Sequence, residues 1–167
     1  MKKTNYIFLI LFFCSLPLFA QVKVIADMGY QNPEGDISYY DAGVGLSGGI
    51  EYYFQDSNAA FSADVSYNKF SSVAIMTYTV GVKGFIKSAD SKINPYFGAE
   101  LGSMVSKRKR FAPIYNTLLA WILEAGLRFQ IPPGGTSIDF NIKYNNGTRH
   151  GNTFSFIGIN AGLAFTL

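Results

Sequence analysis

The chain has 167 residues, 49% of them hydrophobic and 15% charged, with 14 Lys and Arg against 11 Asp and Glu. That length points to one domain, and the single cysteine, Cys14, excludes a disulfide framework or a Cys-built metal centre. The net charge of +3 falls to +1 once Lys2 and Lys3 are lost with the leader described next, so it names no polyanion partner.

The leader comes first. Met1-Lys2-Lys3 is followed by an apolar run from Tyr6 to Phe13 and by Leu16-Pro17-Leu18-Phe19-Ala20. A short basic start, an apolar core and a small final residue predict a secretory signal peptide over 1–20, cleaved after Ala20. Pro17 and the polar Gln21-Val22-Lys23 cut the run short of the roughly 20 residues that a membrane helix needs. Cleavage removes Cys14, and Phe13 before it argues against a lipoprotein site. The export signal also disfavours nucleic-acid partners.

From Val22 onward the period is two, which predicts strands. Eight alternating segments follow, near 22–30, 38–54, 59–69, 73–87, 93–106, 117–131, 136–145 and 153–167. In the sixth, Leu119, Trp121, Leu123, Ala125, Leu127, Phe129 and Ile131 share one face, opposite Ala120, Glu124, Gly126, Arg128 and Gln130. Short turns are expected at 55–58, 88–92 and 132–135. Longer connections are expected at 31–37, 106–116 and 145–152, with a short link near 70–72. Short inner turns and longer outer loops are the habit of transmembrane barrels, whose even strand number leaves both termini on the inner side.

Alternation alone leaves the direction of the apolar face open, because a soluble barrel shows it too. Nine glycines (at 43, 45, 49, 81, 98, 102, 126, 158 and 162) share the polar face, where a narrow barrel has room only for small side chains. The apolar face carries Tyr52, Phe54, Phe61, Tyr67, Tyr78, Phe97, Trp121, Phe129 and Tyr144, often near strand ends, as interfacial girdles require. A four-residue turn at Pro132–Gly135 sets Arg128 opposite Asp139 and Glu124 opposite Lys143, all on the polar face. The preceding hairpin can be registered to set Lys83 opposite Glu100. Opposite charges across strands stabilise, and charges in a narrow lumen need partners. The expected fold is therefore all-β: an eight-stranded antiparallel up-and-down transmembrane barrel over 21–167, apolar face outward.

The pattern resembles the OmpX/OmpA-type small outer-membrane barrels over the whole mature length. The resemblance is carried by the leader ending Leu18-Phe19-Ala20, the alternating segments and the closing run Ile159-Asn160-Ala161-Gly162-Leu163-Ala164-Phe165-Thr166-Leu167. It implies insertion into outer-membrane lipid by the barrel-assembly machinery, which reads such a closing strand. Barrels of this type usually end in an aromatic; here Leu167 is last and Phe165 carries the ring.

The chemical motifs read as follows. Gly43-Val44-Gly45-Leu46-Ser47-Gly48 matches a dinucleotide fingerprint but sits within a strand, where no helix N-terminus holds a pyrophosphate. His150, the only histidine, lies in a predicted loop. Some outer-membrane barrels are lipid A-modifying enzymes that use a His and a nearby Ser, but here Asn152 stands where a Ser is expected, with Thr148, Thr153 and Ser155 the nearest hydroxyls. Lys107-Arg108-Lys109-Arg110 is a basic run in an outward loop, suited either to lipopolysaccharide phosphates or to simple solvation. No metal or cofactor is expected. The leading functional expectation is a non-catalytic outer-membrane barrel for envelope integrity, adhesion or surface binding. The alternatives are a lipid A-modifying enzyme and a soluble periplasmic barrel enclosing an apolar ligand.

Overall fold

A computed structural model describes residues 21–35, 37–38, 40–54, 57–87, 91–108, 116–149 and 152–167. The leader and His150 lie outside them. The strands are β1 (Gln21–Gly35), β2 (Gly43–Tyr53), β3 (Ala59–Lys69), β4 (Val73–Phe85), β5 (Ile93–Arg108), β6 (Asn116–Ile131), β7 (Thr136–Arg149) and β8 (Asn152–Thr166). Each pairs antiparallel with the next, and β1 closes on β8 into a barrel with no free edge.

The pairing fixes the barrel's shape. Cα partners traced round from Lys23 pass through Glu51, Ser62, Gly81, Glu100, Ile122, Asn145 and Phe156, and re-enter β1 at Pro33. A stagger of ten residues over eight strands, with ordinary strand spacings, tilts the strands by about 40° and gives a radius of roughly 8 Å. Such a lumen fills with side chains.

Two expected loops are mostly strand. β1 runs on to Gly35 and β7 to Arg149, so the connection expected at 145–152 shrinks to residues 150–151. The polar residues that broke the alternation stay in the ladder because their side chains find partners there. Asn145 Nδ2 donates to the Lys143 carbonyl at 3.3 Å, and Asn146 Nδ2 donates to Ser155 Oγ at 2.8 Å. The four-residue β6–β7 turn forms between Ile131 and Thr136, with Gly134 and Gly135 at φ of 119° and 85°, a region that only glycine enters freely.

The polarity of the wall inverts along the barrel. Over most of its height the outside is apolar, with Leu46, Ile50, Val80, Val82, Phe97, Leu101, Leu123 and Ile142 all more than half exposed, while charged residues point inward. Toward the ends that carry the longer connections, Asn32, Glu34, Lys69 and Thr148 face outward instead. Inside that collar lies a buried apolar cluster of Ile37, Phe70, Val73, Ile75, Met104, Leu118, Ala120 and Phe156. A 16-residue strand at this tilt rises about 40 Å, against an apolar band of about 25 Å in bilayer-spanning barrels. The excess is the collar, built like a soluble barrel with its core inside.

Candidate functional site

The lumen below the collar is the densest chemistry in the molecule. Arg128 on β6 is its hub, with 1% of its surface exposed. Its Nε donates to Asp139 Oδ2 at 2.7 Å, its Nη1 to Glu51 Oε2 at 2.6 Å, and its Nη2 to Glu51 Oε1 at 3.2 Å. The Tyr53 hydroxyl also accepts from Nη1 and donates to Glu51 Oε2 at 2.8 Å. The guanidinium carbon sits 5.4 Å from the Phe85 ring centre and 5.2 Å from that of Tyr96, within cation–π range.

A second cation extends the network. Lys83 Nζ lies 3.0 Å from both Glu51 Oε1 and Glu124 Oε2. The Tyr96 hydroxyl lies 2.8 Å from Glu124 Oε1 and 2.6 Å from Asp139 Oδ1, with one proton to donate between them. Lys143 Nζ stands further off, 3.9 Å from Asp27, Asp64 and Glu124. Above it Gln31 Nε2 donates to Asn160 Oδ1 and Asn160 Nδ2 to Asn141 Oδ1, each at 2.8 Å.

Of the residues singled out in the sequence, Arg128 stands opposite Asp139 and Glu124 opposite Lys143, all facing inward. The expected Lys83–Glu100 pairing is wrong by two residues. Lys83 pairs with Gly98, and Glu100 with Gly81. Lys83 turns instead to Glu51 and Glu124, and Glu100 accepts a 2.5 Å hydrogen bond from Thr79 Oγ1. The β4–β5 turn was too long to set the register by counting. Glu51, Tyr53 and Tyr96 were not anticipated as members of the network. For Tyr96 the signal was inward parity combined with a glycine on the neighbouring strand: a side-chain carbon added at Gly126 would collide with the Tyr96 ring, as one added at Gly49 would with the Asp64 carboxylate, whereas Glu51 and Tyr53 offered inward parity alone. The inward glycines leave the space that long neighbours occupy.

Both mouths are shut. At the lower end Tyr53, Phe85 and Tyr96 stack across the lumen with ring centres 5.2 and 5.4 Å apart, and Lys23 Nζ lies 4.9 Å over Tyr53. At the upper end the collar's apolar cluster closes the bore, with Phe70 edge-on to Phe156 at 5.5 Å. A small polar cavity of about 20 Å³ remains between, lined in part by Asp64, Thr79, Glu100 and Lys143.

An apolar exterior over a charged, side-chain-filled interior inverts a soluble protein. The apolar band contacts lipid. This is the fold of the small outer-membrane barrels. The chain resembles Neisserial surface protein A at a TM-score of 0.76 and 15% identity, covering 89% of this chain and 99% of that one. It resembles the N-terminal barrel domain of Pseudomonas aeruginosa OprF at 0.64 and 14% identity, covering 87% and 97%. The outer-membrane enzyme PagL matches at 0.55 and 14% identity, covering 87% and 99%. No family model and no curated protein sequence matches the chain. One architecture thus carries both a surface protein and an enzyme, and function lies in the site.

The remaining motifs of the sequence are placed as follows. The glycine-rich match at Gly43–Gly48 lies in β2, with no helix after it. Lys107 and Arg108 close β5, while Lys109 and Arg110 lie outside the described residues. Of the hydroxyls near His150, Thr148 Oγ1 donates to Asn146 Oδ1 at 3.0 Å, and Ser155 Oγ accepts from Asn146. Both are held by the asparagine. Among the described residues no group of three or more His, Cys, Asp or Glu side chains is placed to hold a metal ion.

Proposed function

We propose that this barrel is a closed, non-catalytic scaffold that presents its outer connections at the cell surface, where they serve envelope integrity, adhesion or surface binding. The observation that carries the proposal is the lumen shut at both ends around an ion-pair network. Solutes have no open path through it, and Arg128, Lys83, Glu51, Glu124 and Asp139 hold one another rather than standing poised for a substrate. The test is a pair of measurements. Vesicles containing the refolded barrel are expected to resist swelling in small sugars, and cells overexpressing it to keep an unchanged lipid A profile. Swelling at the rate of a general pore, or a new lipid A species, overturns the proposal.

On this reading the basic run Lys107–Arg110, which begins in the last two residues of β5, is the contact for lipopolysaccharide phosphates. Four adjacent cations favour polyanions in a salt-dependent way. Replacing all four by Ser is expected to weaken lipopolysaccharide association in low salt and leave the compact barrel on gels intact. Association that is unchanged across a salt titration removes the assignment.

A further inference from the structure

Charge in the lumen does not balance. Among the described residues six buried inward carboxylates, Asp27, Glu51, Asp64, Glu100, Glu124 and Asp139, face four buried cations, Lys23, Lys83, Arg128 and Lys143. In the lower half three cations match three carboxylates in number: Lys23 lies by Tyr53, and Arg128 and Lys83 hold Glu51, Glu124 and Asp139 at 2.6 to 3.0 Å. The deficit lies above, where Lys143 alone serves Asp27 and Asp64 from 3.9 Å. Among the described residues Glu100 has no cation within ion-pair reach. Thr79 occupies its Oε2, and its Oε1 has no partner although the residue is 98% buried.

Asp64 completes the picture. It pairs across the sheet with Thr79, the residue that donates to Glu100. Asp64 Oδ2 is likewise buried and without a partner. Both residues line the lumenal cavity of about 20 Å³, together with Ser47, Ser66, Asn145 and Asn160. That space accommodates one water-sized particle.

We propose that this cavity binds a single alkali-metal cation, between the Asp64 and Glu100 carboxylates and the neutral oxygens around them. A buried carboxylate without a counter-charge is costly, and a water molecule supplies hydrogen bonds but no charge. The donors are all hard oxygens, which suit an alkali or alkaline-earth ion and not a soft metal. With two carboxylates and the Lys143 ammonium on the same wall, the site has too little negative charge for a divalent ion, whose sites draw on more carboxylates.

The test refolds the barrel from urea into detergent in equal concentrations of sodium chloride or choline chloride, since choline is too large to enter. The readout is the temperature at which the compact gel band converts to the unfolded one. Wild type is expected to convert several degrees higher in sodium. Glu100→Gln is expected to lose the sodium–choline difference and to convert in choline no lower than wild type does, because the uncompensated charge is gone. Asp64→Asn, which faces the same cavity, provides a second variant if the first fails to fold. Equal conversion of wild type in the two salts overturns the site in favour of a proton or water. A sodium effect that persists in both variants places the ion elsewhere and overturns it too. Stabilisation by calcium chloride beyond sodium at equal ionic strength, lost in Glu100→Gln, overturns the monovalent assignment.

Discussion

Arg128→Met is the most searching perturbation of the lumen. Methionine keeps much of the stem's volume, so the effect isolates the guanidinium rather than a cavity. Glu51 retains Lys83 at 3.0 Å and the Tyr53 hydroxyl, but Asp139 loses its cation and keeps mainly the Tyr96 hydroxyl at 2.6 Å. The loss is therefore dominated by one uncompensated buried carboxylate. Removing one partner of a buried pair costs about 3–5 kcal/mol, a large share of the roughly 5–15 kcal/mol that holds a typical domain folded. Asp139→Asn alone leaves Arg128 paired with Glu51, so it costs less, about 1–3 kcal/mol. In the double variant the stranded charge is absent, and the two costs fall short of additive by up to about 3 kcal/mol. Urea unfolding in detergent micelles measures this, followed by the emission of Trp121, the only tryptophan. An Arg128→Met variant within about 1 kcal/mol of wild type, or a strictly additive pair, would falsify the hub assignment.

Three further outcomes test the architecture. Gly126→Ala is expected to destabilise by about 1–3 kcal/mol, because the added carbon meets a Tyr96 ring pinned between Glu124 and Asp139; Gly98→Ala meets the Lys83 stem at 3.1 Å and other atoms only at ordinary contact distance, so it is milder, and equal effects in urea titrations contradict the packing argument. Phe156→Ala opens the collar core and is expected to cost about 3–5 kcal/mol in the same titrations, while vesicles stay closed to sugars because the lower rings still seal the bore; sugar uptake refutes the two-seal description. Trp121, half-buried beside Tyr144 with ring centres 5.3 Å apart on the outward face, is expected to be quenched by brominated acyl chains after insertion; unquenched emission rules out a lipid-facing position.

The barrel was legible in the sequence because a period of two survives wherever one face meets lipid and the other meets charge. Turn chemistry made the β6–β7 register countable: Pro132–Gly135 is a four-residue link, and Arg128 and Asp139 follow from it. The β4–β5 link was not countable, and Lys83 was assigned to Glu100 by charge alone. In the structure Lys83, Arg128 and Lys143 each reach across the bore to strands that are not their neighbours. Lys83 on β4 reaches Glu51 on β2 and Glu124 on β6. Cross-strand rules describe adjacent pairs, so contacts across the lumen stay invisible until the radius is known. Polarity hid the collar in the same way. Leu118, Ala120, Val73 and Ile75 share their strands' inward parity with charged residues, and this marks where the wall leaves the bilayer.

That inversion separates two jobs within one wall. In the bilayer the outside gains nothing from burial against lipid beyond what lipid already offers, so stability there rests on closure of the sheet and on the lumenal charges. Above the bilayer water returns to the outside, and an apolar core inside becomes worth its ordinary hydrophobic free energy. Ile37, from the β1–β2 connection, is 1% exposed within that core. The first outer connection is thereby tied down by the collar and not by the membrane. The ion pairs of the lower lumen tie strands together across the bore, and a collar with its own core carries the connections above the lipid surface. Both features support the proposed role of presentation over passage, in which the segments that the collar supports carry the surface chemistry.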